Sequence, residues 1–510
     1  MADRNGIELK PLGFFKRTNP PVFALSAGVM LAFILSSTFF TQAAREFFNW
    51  IQSGITHYFS WVFTFALSVI LLAMVCLMFH PIGRIKLGRP DEKPEFNSVT
   101  WFAMLFSAGM GIGLVFWSIA EPIMHYTDPP IGDGATAEAA HQAMRITFFH
   151  WGFHAWAVYC MMGLALSFFA FRKGLPLTIR SVFYPLLGDR IYGPWGHAID
   201  IFAVVSTMFG VSTSLGLGAM QVNSGLNHIT GWSVSTGHQV ALIAGITAVA
   251  TISVVLGLVK GISRLSHFNL WLSAAFMVFV LAVGPTLFLF DNFFKTFTDY
   301  LPQVFTLGVW SETMPDEDWR AGWTTFYWGW WVAWSPFVGM FIARVSRGRT
   351  IREFVFGVLI APCLATFAWL SVFGGTALHL EMNDGAGISK AVSANISQAL
   401  FITLQQMPWA AVSVTVAVVV IVTYFVTSSD SGSLVIDIIT AGGDQNPPKN
   451  QRVFWAVTEG VIAIVLLVFG GLKALQTAAI ASGFPFSFIL LGMGYCLFKA
   501  LRREHLNQTD

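Results

Sequence analysis

Residues 323–353 read WTTFYWGWWVAWSPFVGMFIARVSRGRTIRE. Trp323, Trp328, Trp330, Trp331 and Trp334, with Tyr327, crowd an otherwise apolar segment that meets Ser335-Pro336 and ends on Arg344, Arg347, Arg349 and Arg352. A helix facing lipid needs only bulk and apolarity, which Leu, Ile and Val supply. Aromatic belts sit at the ends of a span, at headgroup level. Here the rings descend from the entry side toward a proline, and the far end is basic. Trp330 and Trp334 stand at i and i+4 and share a helix face, with Trp331 beside them. Rings so arranged suit a quaternary ammonium cation. The cluster is read as such a cage, with an interfacial belt as the alternative, and Ser335-Pro336 is expected to interrupt the helix.

The 510 residues are 55% hydrophobic and 11% charged, with a mean hydropathy of +0.64. Soluble domains carry roughly 25% charged residues, so the chain is an all-α integral membrane protein. A net charge of +2 leaves no basic tract for nucleic acid. Cys76, Cys160, Cys363 and Cys496 are scattered through apolar runs, which argues against a disulfide framework. The polar stretch before residue 20 is too polar and too long for a signal n-region, and a retained first helix is expected after it.

Twelve runs are long enough to cross a hydrocarbon core of about 30 Å. They lie near 20–41, 57–80, 98–120, 145–171, 197–222, 238–259, 267–290, 321–343, 353–378, 407–436, 452–472 and 476–499. Most of the 29 Lys and Arg then fall on one side, leaving Arg45, Arg145, Lys295, Arg320, Lys390 and Lys473 on the other. The positive-inside rule puts both termini in the cytoplasm, and the location is a cell (inner or plasma) membrane. Segment 291–320 reads as an amphipathic surface helix. Segment 379–406, with Gly385 and Gly387, reads as a loop with a short helix.

The span 98–120 carries SAGMGIGL, in which Gly109, Gly111 and Gly113 alternate. Alternating glycines weaken a helix and admit close approach to its backbone. Unwound carbonyls persist at membrane depth only where they line a cavity or bind an ion. The spans at 98–120 and 321–343 each open a set of five, with an odd number of spans between related members. The two sets, 98–290 and 321–499, therefore sit inverted, as in many secondary transporters. The span 407–436 ends VTSSDSGS (426–433), where Thr427 and Ser428 are candidate Na⁺ ligands beside unwound carbonyls. In 145–171, Trp156 and Tyr159 share a face and Trp151 lies obliquely near it. His150 and His154 stand at i and i+4 and read as packing residues rather than a metal pair. No carboxylate falls among the aromatic positions, which favours a zwitterion over a net cation.

Together FYWGWWVAWSPFVGMFIARVSRGRTIREF (326–354), SAGMGIGL (107–114) and VTSSDSGS resemble the betaine/choline/carnitine transporter family over nearly the whole chain. The resemblance implies the fold shared with neurotransmitter:sodium symporters, Na⁺- or proton-coupled transport, and a homotrimer. It places an aromatic box on Trp151, Trp156, Tyr159, Trp330, Trp331 and Trp334. It places one Na⁺ site on carbonyls of Ser107, Met110 and Tyr424 with hydroxyls of Thr427 and Ser428. A second site retains Thr207 and Phe337 but has Val211 where a hydroxyl is expected, with Ser212 or Ser214 as substitutes. Proton-coupled choline carriers of the family tend to carry an acid at the position of Gly113, so Gly113→Asp is expected to shift specificity toward choline. The long tails of osmosensing members are missing, so insensitivity to osmolality is expected. The expected substrate is glycine betaine or a similar zwitterion in Na⁺ symport, with no other cofactor. Choline, carnitine and dimethylsulfoniopropionate remain alternatives, as does proton coupling through Glu121, Asp430 or His154. A membrane enzyme lacks converging catalytic groups. A channel needs a polar lining that stacked tryptophans oppose.

Overall fold

The computed structural model describes residues 7–109, 111–256, 259–308 and 317–509. Among these, nine helices are long and apolar enough to cross a membrane. The chain is a multi-pass helical membrane protein. The last of the nine, Lys449–Asn507, is 59 residues long but breaks at Gly470 and Gly471, where Gly471 takes φ +57°. That break falls at the end of the expected run 452–472, just before the run 476–499.

The glycine-rich span divides as its sequence suggests. One helix, Ser98–Gly109, ends at the glycines, Gly111 is extended (φ −158°, ψ 178°), and a second helix, Ile112–Thr127, begins directly after it. The tryptophan span behaves differently. Thr324–Val345 is one continuous helix through Pro336, which corrects the expected interruption. Proline removes a backbone donor and so frees a carbonyl four residues back. That carbonyl belongs to Val332, and the Ser335 hydroxyl donates to it at 2.8 Å. The serine beside the proline repairs the ladder that the proline would have cut.

The run 145–171 also departs from a single helix. It divides into Ala137–Trp151 and Phe153–Ser167 about Gly152 (φ −96°, ψ −135°). A Cβ on Gly152 would stand 2.5 Å from the Phe148 carbonyl oxygen and 2.7 Å from the Phe367 ring, so only glycine fits the corner. The 291–320 segment is helical from Thr286 to Gly308 and from Glu317 to Gly322. In 379–406 the chain turns at Gly385 (φ +59°) and Gly387 (φ +67°) before the short helices Ile388–Ala394 and Ala399–Gln405. The four cysteines are unpaired.

The long helix Pro194–Thr230 packs against Ala410–Thr440, Lys449–Thr509 and the tryptophan helix, which in turn packs on Phe153–Ser167. The arginine-rich end of the tryptophan helix is tied to the segment that precedes the broken span. Arg347 pairs with Glu92 at 2.6 Å, and Arg349 lies 4.1 Å over the Trp101 ring while donating to the Phe96 carbonyl at 2.9 Å. A two-stranded hairpin, Lys10–Leu12 with Phe15–Thr18, departs from all-α. It docks on the ends of the neighbouring helices through Gln451 Nε2 to the Arg17 carbonyl (3.0 Å) and Asn19 N to the Thr440 carbonyl (2.8 Å).

Arg180 and Asp200 form a fully buried ion pair, Nε to Oδ2 at 2.5 Å, with the Arg180 backbone N–H donating to Oδ1 at 2.9 Å. Removing one partner of such a pair leaves an uncompensated buried charge, at a cost of about 3–5 kcal/mol. Asp200→Ala should therefore lower the melting temperature in detergent markedly. A melting curve unchanged from the parent protein would show that Arg180 finds another partner.

Candidate functional site

The tryptophan helix is buried at every residue from Thr324 to Pro336. An interfacial belt would be exposed to lipid and headgroups, so that alternative is set aside for Trp328, Trp330, Trp331 and Trp334. Trp330 and Trp331 stack at 5.0 Å and 13°. Trp151 meets Trp331 edge-on at 4.8 Å and 69°, and Tyr159 meets it at 6.4 Å and 78°. Trp156 stands against Tyr159 at 5.4 Å and 81°. All six expected aromatic residues, with Gly111 and Gly113, line one cavity of about 30 Å³. The break at Gly152 helps to bring Trp151 there, because Trp151 is the last residue of its helix and Trp156 belongs to the next.

The glycines allow the broken span to touch the rings. A Cβ on Gly111 would lie 3.4 Å from Trp334 Cη2, and one on Gly113 only 2.4 Å from Trp330 Cη2. Gly109 ends the first half-helix. Position 113 thus has no room for any side chain, which corrects the expectation of a tolerated acid there.

Around the cavity, Trp330 Nε1, Trp334 Nε1 and the Tyr159 hydroxyl have no hydrogen-bond partner among the described residues. Buried donors are normally satisfied. Three of them at one cavity amount to an unmet demand for an acceptor. Trp331 Nε1, in contrast, donates to the His150 carbonyl at 2.8 Å.

One layer behind the rings lies Glu121, fully buried. Its Oε2 accepts from Trp151 Nε1 (2.7 Å) and the Tyr327 hydroxyl (2.6 Å), and its Oε1 faces His150 Nδ1 (2.6 Å) and His125 Nε2 (3.3 Å). From the sequence no carboxylate is expected among the aromatics. None lines the cavity, but one is bonded directly to a wall residue. An acid within an apolar run was the available signal; its partners, on other helices, were not legible. Glu121, His125 and His150 bring ligand atoms within 4.8 Å of one another. The facing nitrogens already share Glu121 Oε1, so the group works as a hydrogen-bond network that sets the Trp151 ring. His150 also meets Thr324 Oγ1 at 3.0 Å, whereas His154 stacks on Trp328 at 5.6 Å. The two histidines do not converge.

A second cavity, of about 390 Å³, begins at Trp334 and Phe337 and reaches Asp430 and Arg452. Thr100, Ala103 and Met104 of the first half-helix line it together with Tyr424, Thr427 and Ser428. The Thr427 hydroxyl donates to the Thr423 and Tyr424 carbonyls (3.0 and 3.2 Å), which leaves its lone pairs free to coordinate a cation. Ser107 lies in the half-helix Ser98–Gly109, and Met110 lies outside the described residues. Thr207 donates to the Ala203 carbonyl at 2.7 Å. Phe337 borders the second cavity. Ser212 donates to the Glu459 carbonyl at 3.1 Å and Ser214 to the Gly210 carbonyl at 3.4 Å. Asp430 pairs with Arg452 at 2.6 Å.

A helical membrane protein whose buried site is built of rings, glycines and hydroxyls has the equipment to hold and release a solute. It is a transporter and not an enzyme. The chain belongs to the betaine/carnitine/choline transporter family, whose sequence profile matches residues 21–506. It is 46% identical over 499 residues to a probable glycine betaine transporter of Desulfitobacterium hafniense, covering 97% of this chain and 99% of that one. It is 46% identical over 497 residues to a glycine betaine/proline/choline/ectoine transporter of Vibrio parahaemolyticus, covering 95% and 87%. A glycine betaine transporter of Acinetobacter baylyi is 44% identical over 493 residues, covering 96% and 74%.

Proposed function

We propose that this protein imports a quaternary-ammonium zwitterion of the glycine betaine type by Na⁺ symport, through alternating access. The observation that carries the reading is the cavity at which six aromatic side chains and two glycines meet. Its three unpartnered donors, Trp330 Nε1, Trp334 Nε1 and Tyr159 OH, ask for an acceptor that the walls do not provide. A substrate with a carboxylate brings that acceptor, and its trimethylammonium group takes the ring faces. Glu121 already holds four polar partners and does not line the cavity. The names of the three relatives favour the same substrate.

Cation–π contact contributes about 0.5–2 kcal/mol per ring once the cation is desolvated. A cavity of about 30 Å³ has room for one or two waters, so the rings must part to admit substrate and close on it afterwards. Trp334 lines both cavities and is the partition between them. Beyond it the larger cavity leads toward Asp430 and Arg452, the side that the positive-inside count assigns to the cytoplasm. In this reading Na⁺ sits where Thr427 and Ser428 face the first half-helix, with carbonyls of Ser107, Met110 and Tyr424. The second site, at Thr207 and Phe337, lacks an oxygen at Val211. Twelve spans, with inverted sets at 98–290 and 321–499, would let one bundle rock against the rest. A homotrimer, with both termini in the cytoplasm, completes the proposal.

Trp334→Leu keeps apolar bulk and removes the ring. Its indole N–H has no protein partner to lose, so the variant removes a ring face and a carboxylate donor together without breaking a bond within the wall, as Trp331→Leu would. Glycine betaine affinity, read by tryptophan fluorescence titration, should fall by about two- to thirtyfold. Unchanged affinity would remove the cage from the account.

A further inference from the structure

Glu459 belongs to the helix that starts at Lys449, is fully buried, and has no part in the site described above. Its Oε1 has no hydrogen-bond partner among the described residues, and its Oε2 meets only the Ser429 hydroxyl, at 3.5 Å. A Cβ built on Gly432 would stand 3.0 Å from Glu459 Oε1 and 3.1 Å from both Val211 methyls. The carboxyl tip is therefore wedged where Ala410–Thr440 crosses Pro194–Thr230. Thr247 of Thr236–Leu256 packs against Gly460, the next residue along. The charged groups nearest the carboxyl, Asp430 and Arg452, are engaged with each other.

An ionised carboxylate with an oxygen unpaired between a glycine and a valine at membrane depth is strongly disfavoured. A neutral carboxylic acid in the same wedge is not. The wedge offers one hydroxyl and no carbonyl cage, too few oxygens for a metal cation. We propose that Glu459 is a proton-binding site, loaded while these three helices are packed together and discharged when they part. On discharge the carboxyl O–H bond breaks and the proton passes to water. The carboxylate that remains takes a proton back from water before the helices repack. The ligand is a proton alone, and the site stands whichever solute the aromatic cavity holds.

The test compares Glu459→Gln, which imitates the loaded form, with the parent protein between acid and alkaline pH at saturating Na⁺. Melting temperature is read without substrate, and labelled glycine betaine uptake is read in proteoliposomes. A folded state that binds more protons than the unfolded one loses stability as pH rises. The parent protein should thus show an alkaline fall in melting temperature and a several-fold alkaline fall in uptake. Glu459→Gln should lose the fall in both. Melting reads the proton site even if betaine is the wrong solute, so failure of that assignment is distinguishable. The proposal is overturned if the variant keeps the alkaline fall, or folds but fails to transport at every pH. It is also overturned if the variant changes only the apparent Na⁺ affinity, which would make Na⁺ the occupant. Should Glu459→Gln fold poorly, Ser429→Ala takes its place. Loss of the carboxyl's one hydrogen bond should then shift the alkaline fall along the pH axis, and an unmoved fall contradicts the proposal.

Discussion

Aspartate in place of Gly113 should abolish uptake and not redirect it from betaine to choline. The first carbon of any side chain there would lie 2.4 Å from Trp330 Cη2 and 3.0 Å from Cζ2. The Trp330 ring cannot yield easily. It is 1% exposed and held between Phe326 (5.4 Å, 18°) and Trp331 (5.0 Å, 13°). Densely packed cores answer added atoms with strain and displaced neighbours, and the displaced neighbour here is a wall of the cavity. Gly113→Ala, which adds the same carbon without charge, should show most of the loss. Labelled-substrate uptake at saturating Na⁺, normalised to protein in the membrane, reads both variants. Retained flux with choline preference would mean that the Trp330 ring moves aside and that position 113 is open to substrate.

Removing both hydroxyls of the proposed cation site, Thr427→Ala with Ser428→Ala, should raise the Na⁺ concentration for half-maximal uptake by about a hundredfold or more. A hydrogen-bonding contact to a charged group is worth about 1.5–3 kcal/mol, and two such contacts multiply in the binding constant. Folding should survive, because both side chains are only half-buried and border a cavity. The substrate affinity measured at very high Na⁺ should recover. An unchanged Na⁺ requirement would move the coupling ion elsewhere.

Much of this arrangement was legible because it is carried by local chemistry. Three alternating glycines announced a weak helix, and the chain breaks between Gly109 and Ile112. The tryptophan cluster announced buried rings, and their burial from Thr324 to Pro336 agrees. The misreadings have a common physical origin in partners that a linear pattern does not display. Pro336 reads as a break, yet the hydroxyl one residue earlier caps the freed Val332 carbonyl. Gly152 is one of many glycines in apolar runs, and its role appears only when the Phe367 ring closes on it. Glu121 looked remote from the cavity because Trp151 and Tyr327, which bind it, are 30 and 206 residues away in the chain. The hairpin at Lys10–Thr18 gave no strand signal strong enough to compete, and its hold on Gln451 and Thr440 is long-range.

The measurement closest to the central claim is uptake of labelled glycine betaine into proteoliposomes of the purified protein under two gradients. One arm imposes an inward Na⁺ gradient at equal pH, the other an inward proton gradient without Na⁺. The account predicts concentrative uptake in the first arm, reduced in Trp334→Leu at substrate concentrations near or below half-saturation of the parent, and none in the second. Full uptake in the second arm with none in the first would contradict it.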